Sequence, residues 1–147
     1  MMKVLAVFFI LMSSFIQAQT SEENLIKTAV NSLFDGMRTA DSVKINQAFS
    51  KTAILQTIKK NGEVKNENVK AFIASISKVQ KGALDERVTF SNILTDGNLA
   101  SVWTPYEFYY QGKFSHCGVN SFQLVKTDNV WKIQYIIDTR RQDNCSK

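Results

Sequence analysis

From Asp85 onward the chain is a succession of strand-like runs, "ERVTFSNILT", "LASVWTPYEFYY", "KFSHCGVNSFQLVK" and "VWKIQYIIDTR", separated only by Asp96-Gly97, Gln111-Gly112 and Asp128-Asn129. Each run is rich in β-branched and aromatic residues, and each separator is a dipeptide suited to a tight hairpin turn. This segment therefore has to form four long antiparallel strands in up-and-down order. Such a sheet needs something to cover its apolar face. Pro105 is the exception inside a run; lacking an N–H, it belongs at an edge or a bulge and should bend the sheet there.

If both late turns are two-residue loops, the register follows. Lys113 then faces Tyr110, which sets Trp103 across from Asn120 and Glu107 across from His116. Val130 facing Thr127 sets Asn120 beside Ile137 and Phe122 beside Tyr135. One face would then carry Trp103, Glu107, His116, Asn120, Tyr135 and Ile137, with polar groups toward one end. The opposite face, with Ser121, Gln123, Lys132 and Gln134, is more polar but carries Val102, Val119 and Ile136. A bulge at Pro105 would exchange Tyr106 and Phe108 with their neighbours.

The cover is found upstream. Thr20-Ser21-Glu22-Glu23 is a capping box, and Leu25, Ile26, Ala29, Val30, Leu33, Phe34 and Met37 recur at helical spacing. Gly36 in that helix marks either a close approach or a tolerated glycine. Asp41 is placed to cap a short second helix, "SVKINQAF". Asn61-Gly62 predicts a hairpin turn with positive φ at both positions. Asn66 to Ser77 returns to helical period through Val69, Phe72, Ile73 and Ile76. Three helices and two short strands thus precede the long strands, an α+β pattern without linker, repeat or low-complexity run.

The first residues set the expected compartment. Lys3 is followed by an uncharged run from Val4 to Ala18, shorter than the roughly 18 apolar residues of a spanning helix and ending in a small residue. Residues 1–18 are expected to be a signal peptide cleaved near Ala18, leaving one domain, 19–147, that is periplasmic or secreted without a stable membrane anchor. Without Lys3, 17 of the 18 basic residues face 13 acidic ones, a net charge of +4. The lysines are scattered rather than striped, which argues against nucleic acid as a partner. An exported chain matures where disulfides persist, so a bridge between Cys117 and Cys145 is expected, two separate thiols being the alternative. One histidine and two cysteines do not make a metal site, and no cofactor motif is visible.

The order helix, short helix, two strands, helix and four long antiparallel strands resembles the nuclear transport factor 2-like superfamily. The segment "DGNLASVWTPYEFYYQGKFSHCGVNSFQLVK", then "WKIQYIIDTRR" and a final cysteine, is more specifically similar to small exported bacterial members called nuclear transport factor 2 family or lumazine-binding proteins. The resemblance implies a cone-shaped α+β, cystatin-like fold whose strongly curved, mostly antiparallel sheet wraps around three helices and leaves a cavity open at one end. Superfamily members include isomerases, dehydratases, cyclases and non-enzymatic carriers, so the fold does not select the function. No flavin-binding or pterin-binding signature stands in these residues.

The favoured reading is a non-enzymatic binding protein for a small, partly apolar molecule. His116 and Asn120 would orient a polar edge while Trp103, Tyr106, Phe108 and Tyr135 cover its apolar body. The alternative is an isomerase, dehydratase or cyclase with His116 as acid or base, Glu107 or Asp138 as its carboxylate, and Tyr106 stabilising negative charge. Asp138 and Arg140 alternate on the last strand and are placed to pair. The superfamily's habit of dimerising implies a homodimer through the outer face of the sheet, where Val102, Val119 and Ile136 are expected.

Overall fold

The structure, a computed structural model, describes residues 22–145. The expected signal peptide and the Thr20-Ser21 half of the capping box lie outside these residues. Helix α1 occupies residues 22–39 and buries Ile26, Val30, Leu33, Phe34 and Met37 along one stripe. Ala40, with φ of 53°, ends it, and Asp41 caps α2 (Ser42–Ala48) by accepting from the Lys44 amide. α2 packs against α1 through Ile45. A Cβ on Gly36 would lie 2.5 Å from Ile45 Cγ1, so this glycine permits a close helix crossing. Phe49, expected at the end of α2, instead opens β1 (Phe49–Ile58).

β2 (Val64–Glu67) follows β1, and α3 (Val69–Ile76), capped by Asn68, is shorter than its periodicity suggested. The remaining strands are β3 (Leu84–Val88), β4 (Asn92–Asp96), β5 (Leu99–Tyr110), β6 (Lys113–Thr127) and β7 (Val130–Arg141). They form one seven-stranded sheet in the order β2-β1-β7-β6-β5-β3, with β4 also paired to β5. All neighbours are antiparallel except β1 and β7, which run parallel. The helices pack on one face of this sheet and close a single core.

Three expectations about the strands are corrected. "ERVTFSNILT" is not one strand but β3 and β4, separated at residues 89–91. Pro105 causes no bulge: it pairs in register with Val119, and its carbonyl accepts from the Thr89 amide. A strand residue's N–H and C=O point to the same side, so the missing N–H of Pro105 falls at the gap between β3 and β4. The Asn61-Gly62 turn has positive φ at Gly62 only, 82°, and closes a three-residue loop between Lys59 and Glu63. Gln111-Gly112 and Asp128-Asn129, by contrast, take positive φ at both positions, as two-residue hairpins require.

The expected register holds at both late turns and fails beyond them, because each hairpin contains a bulge. Tyr110 pairs Lys113 and Tyr109 pairs Phe114, but Phe108 pairs His116, so Ser115 is an extra residue. Thereafter Trp103 pairs Ser121, not Asn120, and Glu107 pairs Cys117, not His116. In the last hairpin Leu124 pairs Ile133 but Gln123 pairs Tyr135, so Gln134 is extra. Asn120 thus meets Asp138 rather than Ile137, and Phe122 meets Ile136 rather than Tyr135. A one-residue slip moves a whole strand segment to the other face. Val102 and Ile136, expected outside, are 2% and 3% exposed in the core. The disulfide joins Cys117 to Cys145, tying the segment after β7 back to β6.

Candidate functional site

The four buried polar residues of the described chain are Thr57, Thr104, Asn120 and Asp138. They form one row. Thr104 pairs Asn120, Asn120 pairs Asp138, and Asp138 pairs Thr57, so the row crosses β5, β6, β7 and β1 at a single level. On one side of this belt the inner face is apolar, through Val102, Phe122 and Ile136 and then Ala100, Leu124 and Ile133. On the other side come Tyr106, Gly118 and Arg140, then Glu86, Phe108 and His116.

Hydrogen bonds knit the belt to this second region. Asp138 Oδ1 accepts from Thr57 Oγ1 at 2.5 Å, and its Oδ2 accepts from Arg140 Nε at 2.8 Å. Arg140 Nη2 also donates to Thr57 Oγ1 at 3.1 Å. Asn120 Nδ2 donates to Glu86 Oε1 at 2.8 Å. The Tyr106 hydroxyl donates to the Thr139 carbonyl at 2.9 Å, with Asp138 Oδ2 farther away at 3.5 Å. That reach depends on Gly118: a Cβ there would strike the Thr139 carbonyl oxygen and lie 2.8 Å from the Tyr106 ring. His116 stands between Phe108 and Tyr106, at ring separations of 5.0 and 5.7 Å, with Nδ1 3.0 Å from the Ser115 hydroxyl.

Between this part of the sheet and the helices lies a cavity of about 510 Å³. Leu33, Phe34 and Met37 of α1 and Phe72 and Ile76 of α3 supply apolar wall; Glu86, His116, Asn120, Asp138 and Arg140 supply the polar part. The electrostatics follow from that setting. Glu86 keeps some accessible surface because the cavity is open, yet burial pushes its carboxyl up to about 7, with the Asp138 charge adding to the rise and the Asn120 bond and Arg140 opposing it. Burial, and then Arg140, push the His116 imidazole below its ordinary value. Burial and the Glu86 and Asp138 carboxylates push the Tyr106 hydroxyl up.

The sequence-predicted residues separate into two groups. Tyr106, Phe108, His116, Asn120 and Asp138 line the cavity. Trp103, Glu107 and Tyr135 do not, because the two bulges put them on the outer face. There Trp103 is 48% exposed, Glu107 accepts from the Tyr109 hydroxyl at 2.9 Å, and Tyr135 donates to Gln56 at 2.6 Å. The expected Glu107–His116 pair therefore does not form; His116 instead shares the cavity with Glu86 and Asp138 and has the Ser115 hydroxyl as its hydrogen-bond partner. Glu86 was missed, although Leu84, Glu86 and Val88 alternate along β3 and a carboxylate in line with two aliphatics was a usable signal. Thr57 was missed for want of any signal beyond alternation with Leu55.

Comparison with known proteins fits this architecture. The sequence model of the family described as "putative lumazine-binding" matches residues 21–135. No curated protein matches. Among solved structures, a nuclear transport factor 2-like protein of unknown function from Shewanella baltica is 17% identical, covers 84% of this chain and 97% of its own, and superposes with a TM-score of 0.68. Another from Silicibacter pomeroyi is 16% identical over 84% of this chain and 98% of its own, also with a TM-score of 0.68. A cystatin-like domain of unknown function from Nostoc punctiforme is 18% identical, covers 85% of this chain and 80% of its own, and gives 0.64. At such identities the structures speak for the fold alone. With the family model spanning most of its length, the chain belongs to the "putative lumazine-binding" family, on a fold like that of nuclear transport factor 2-like proteins.

Proposed function

We propose that this protein is an exported binding protein that holds a small, partly apolar molecule in the cavity of its cone. The observation that carries the reading is the cavity of about 510 Å³, walled by aliphatic and aromatic side chains with polar groups gathered in one part. That volume and that mixture are typical of small-molecule sites. The Cys117–Cys145 disulfide supports an oxidising compartment, as does the signal-like segment 1–18 ahead of a single domain 19–147. The outer face of the sheet, with Trp103, Leu99 and Leu94 exposed, is the surface on which a homodimer would form. Native mass spectrometry of protein purified from its own periplasm or medium tests the reading. A retained small molecule, on a chain lacking residues 1–18, is expected; an empty chain under gentle extraction would count against it.

One observation favours a second reading, an isomerase, dehydratase or cyclase acting in the same cavity. Glu86, whose carboxyl burial pushes up to about 7, has acid–base character of its own and shares the cavity with His116, the group expected to act as acid or base beside Glu107 or Asp138. Tyr106 is less suited to an oxyanion role, since its proton is directed to the Thr139 carbonyl. Incubating the retained molecule with fresh protein in deuterium oxide separates the readings: deuterium uptake at carbon would move the assignment to catalysis.

A further inference from the structure

One charged group in the cavity has no ionic counterpart. Glu86 Oε1 accepts from Asn120, and among the described residues no other side chain donates to this carboxyl. No Lys, Arg or His of the described residues forms a salt bridge with it. Among the described residues Arg140 is the one basic side chain lining the cavity besides His116, and it donates to Asp138 and Thr57. The remaining charges facing the cavity cancel. Asp138 is neutralised by Arg140, and Glu67 at the β2 edge pairs with Lys65 at 2.6 Å. His116 is held toward its neutral form by burial and by Arg140, and Tyr106 stays protonated. The facing positions on α1 and α3 are apolar apart from Ser75.

A buried carboxylate in this setting needs a cation or a proton. We infer that the ligand is an organic cation, a protonated amine on an apolar body, whose N–H group meets the free oxygen of Glu86 while its hydrocarbon part lies among Phe34, Phe72, Ile76 and Phe108. This inference rests on the binding reading above and names the ligand class for the same cavity. An anion is disfavoured by the same charge count, because the Arg140 charge that would receive it is already offset by Asp138. Burial raises the Glu86 carboxyl to about 7, so without a ligand it is part-protonated near neutrality. A bound ammonium restores the ionised form by supplying the missing charge. Aromatic faces beside the site add a modest attraction for a cation.

The test is calorimetric titration of the purified protein with three probes that share one apolar body: naphthylethylamine, naphthylethanol and naphthylacetate, each at pH 8.5 and pH 5.5. The amine is expected to bind most tightly at pH 8.5, and to weaken ~30-fold at pH 5.5, the loss of ionised carboxyl over that span for a group titrating near 7. Glu86→Gln should remove both the amine's preference over the alcohol and its pH dependence. Equal binding of amine and alcohol at both pH values would overturn the cation assignment while leaving the cavity reading intact. Tightest binding of the acetate would overturn it in favour of Arg140 as the recognition group. Binding of none of the three would overturn the cavity reading itself, and the ligand class with it.

Discussion

The inner face of β5, β6 and β7 has two ends built by one alternation and put to opposite uses. At one end Ala100, Leu124 and Ile133 are fully buried, and the start of α1 is fixed over them: Glu22 Oε1 accepts from both Lys126 Nζ and Trp131 Nε1 at 2.8 Å. Farther along α1, Phe34 meets Phe122 edge to face at 6.1 Å. Beyond the belt of Thr104, Asn120 and Asp138, the same helix and α3 stand back from the sheet, and the cavity opens. The strands do not change; the cover does. A closed end collects stabilisation from apolar burial, whereas the open end retains Glu86, Asp138 and Arg140 in surroundings that penalise charge. Such an arrangement raises no stability by itself and is what a site for a ligand looks like.

The comparison is broken most directly by truncating one side chain at each end. Leu124→Ala should cost about 4 kcal/mol, since a fully buried leucine leaves both lost transfer energy and a cavity. Phe108→Ala, a larger deletion, should cost less than about 2 kcal/mol because its ring already borders open volume and is only partly buried. Urea denaturation of both variants at one pH decides the matter. Equal losses would mean that the open end is packed as tightly as the closed one.

Glu86 sharpens the contrast through pH. Its carboxyl titrates near 7 in the folded protein against 4.5 ordinarily, so the folded state holds the proton more tightly than the unfolded chain. The contribution of Glu86 to stability is then fully present below about pH 4.5 and is lost as pH rises from there through about 7, since the unfolded state ionises first. Glu86→Gln should stabilise the protein by up to about 3 kcal/mol at pH 8 and leave it unchanged near pH 4. Melting temperatures of the two proteins across pH 4 to 8 should diverge as pH rises; parallel curves would place Glu86 in water.

The fold could be read from the sequence because its signals are local. Turn dipeptides, helical period and β-branched runs each act over a few residues, and together they announce helices followed by a meander. Asp138 and Arg140 were read as neighbours on one face because two residues along a strand always are, short of a bulge. The site was less legible for one physical reason. A bulge inserts a single residue, Ser115 or Gln134, without a proline or glycine to mark it, and everything past it changes face. Thus His116 was separated from Glu107, and Trp103 and Tyr135 were misdirected outward-in. Glu86 escaped notice even though it alternates with Leu84 and Val88, because on so short a strand those two aliphatics are the only mark of its face before the pairing with β5 is known.

The smallest expected effect lies at the belt itself, where the two ends meet. Asn120, Asp138 and Thr57 each have a hydrogen-bond partner, but Thr104 Oγ1 is buried with none among the described residues, in a residue 0% exposed. A buried hydroxyl without a partner destabilises, and valine matches threonine in shape while removing that hydroxyl. Thr104→Val should therefore stabilise the protein by about 1 kcal/mol, read as a higher urea midpoint with an unchanged slope. A loss of similar size would carry the opposite meaning: the hydroxyl would be bonded in solution, through an ordered water reaching Asn120 across the β5–β6 pair. The polar belt would then run unbroken from β5 to β1, and the boundary between packed core and open cavity would be held by hydrogen bonds along its whole length rather than at three of its four positions.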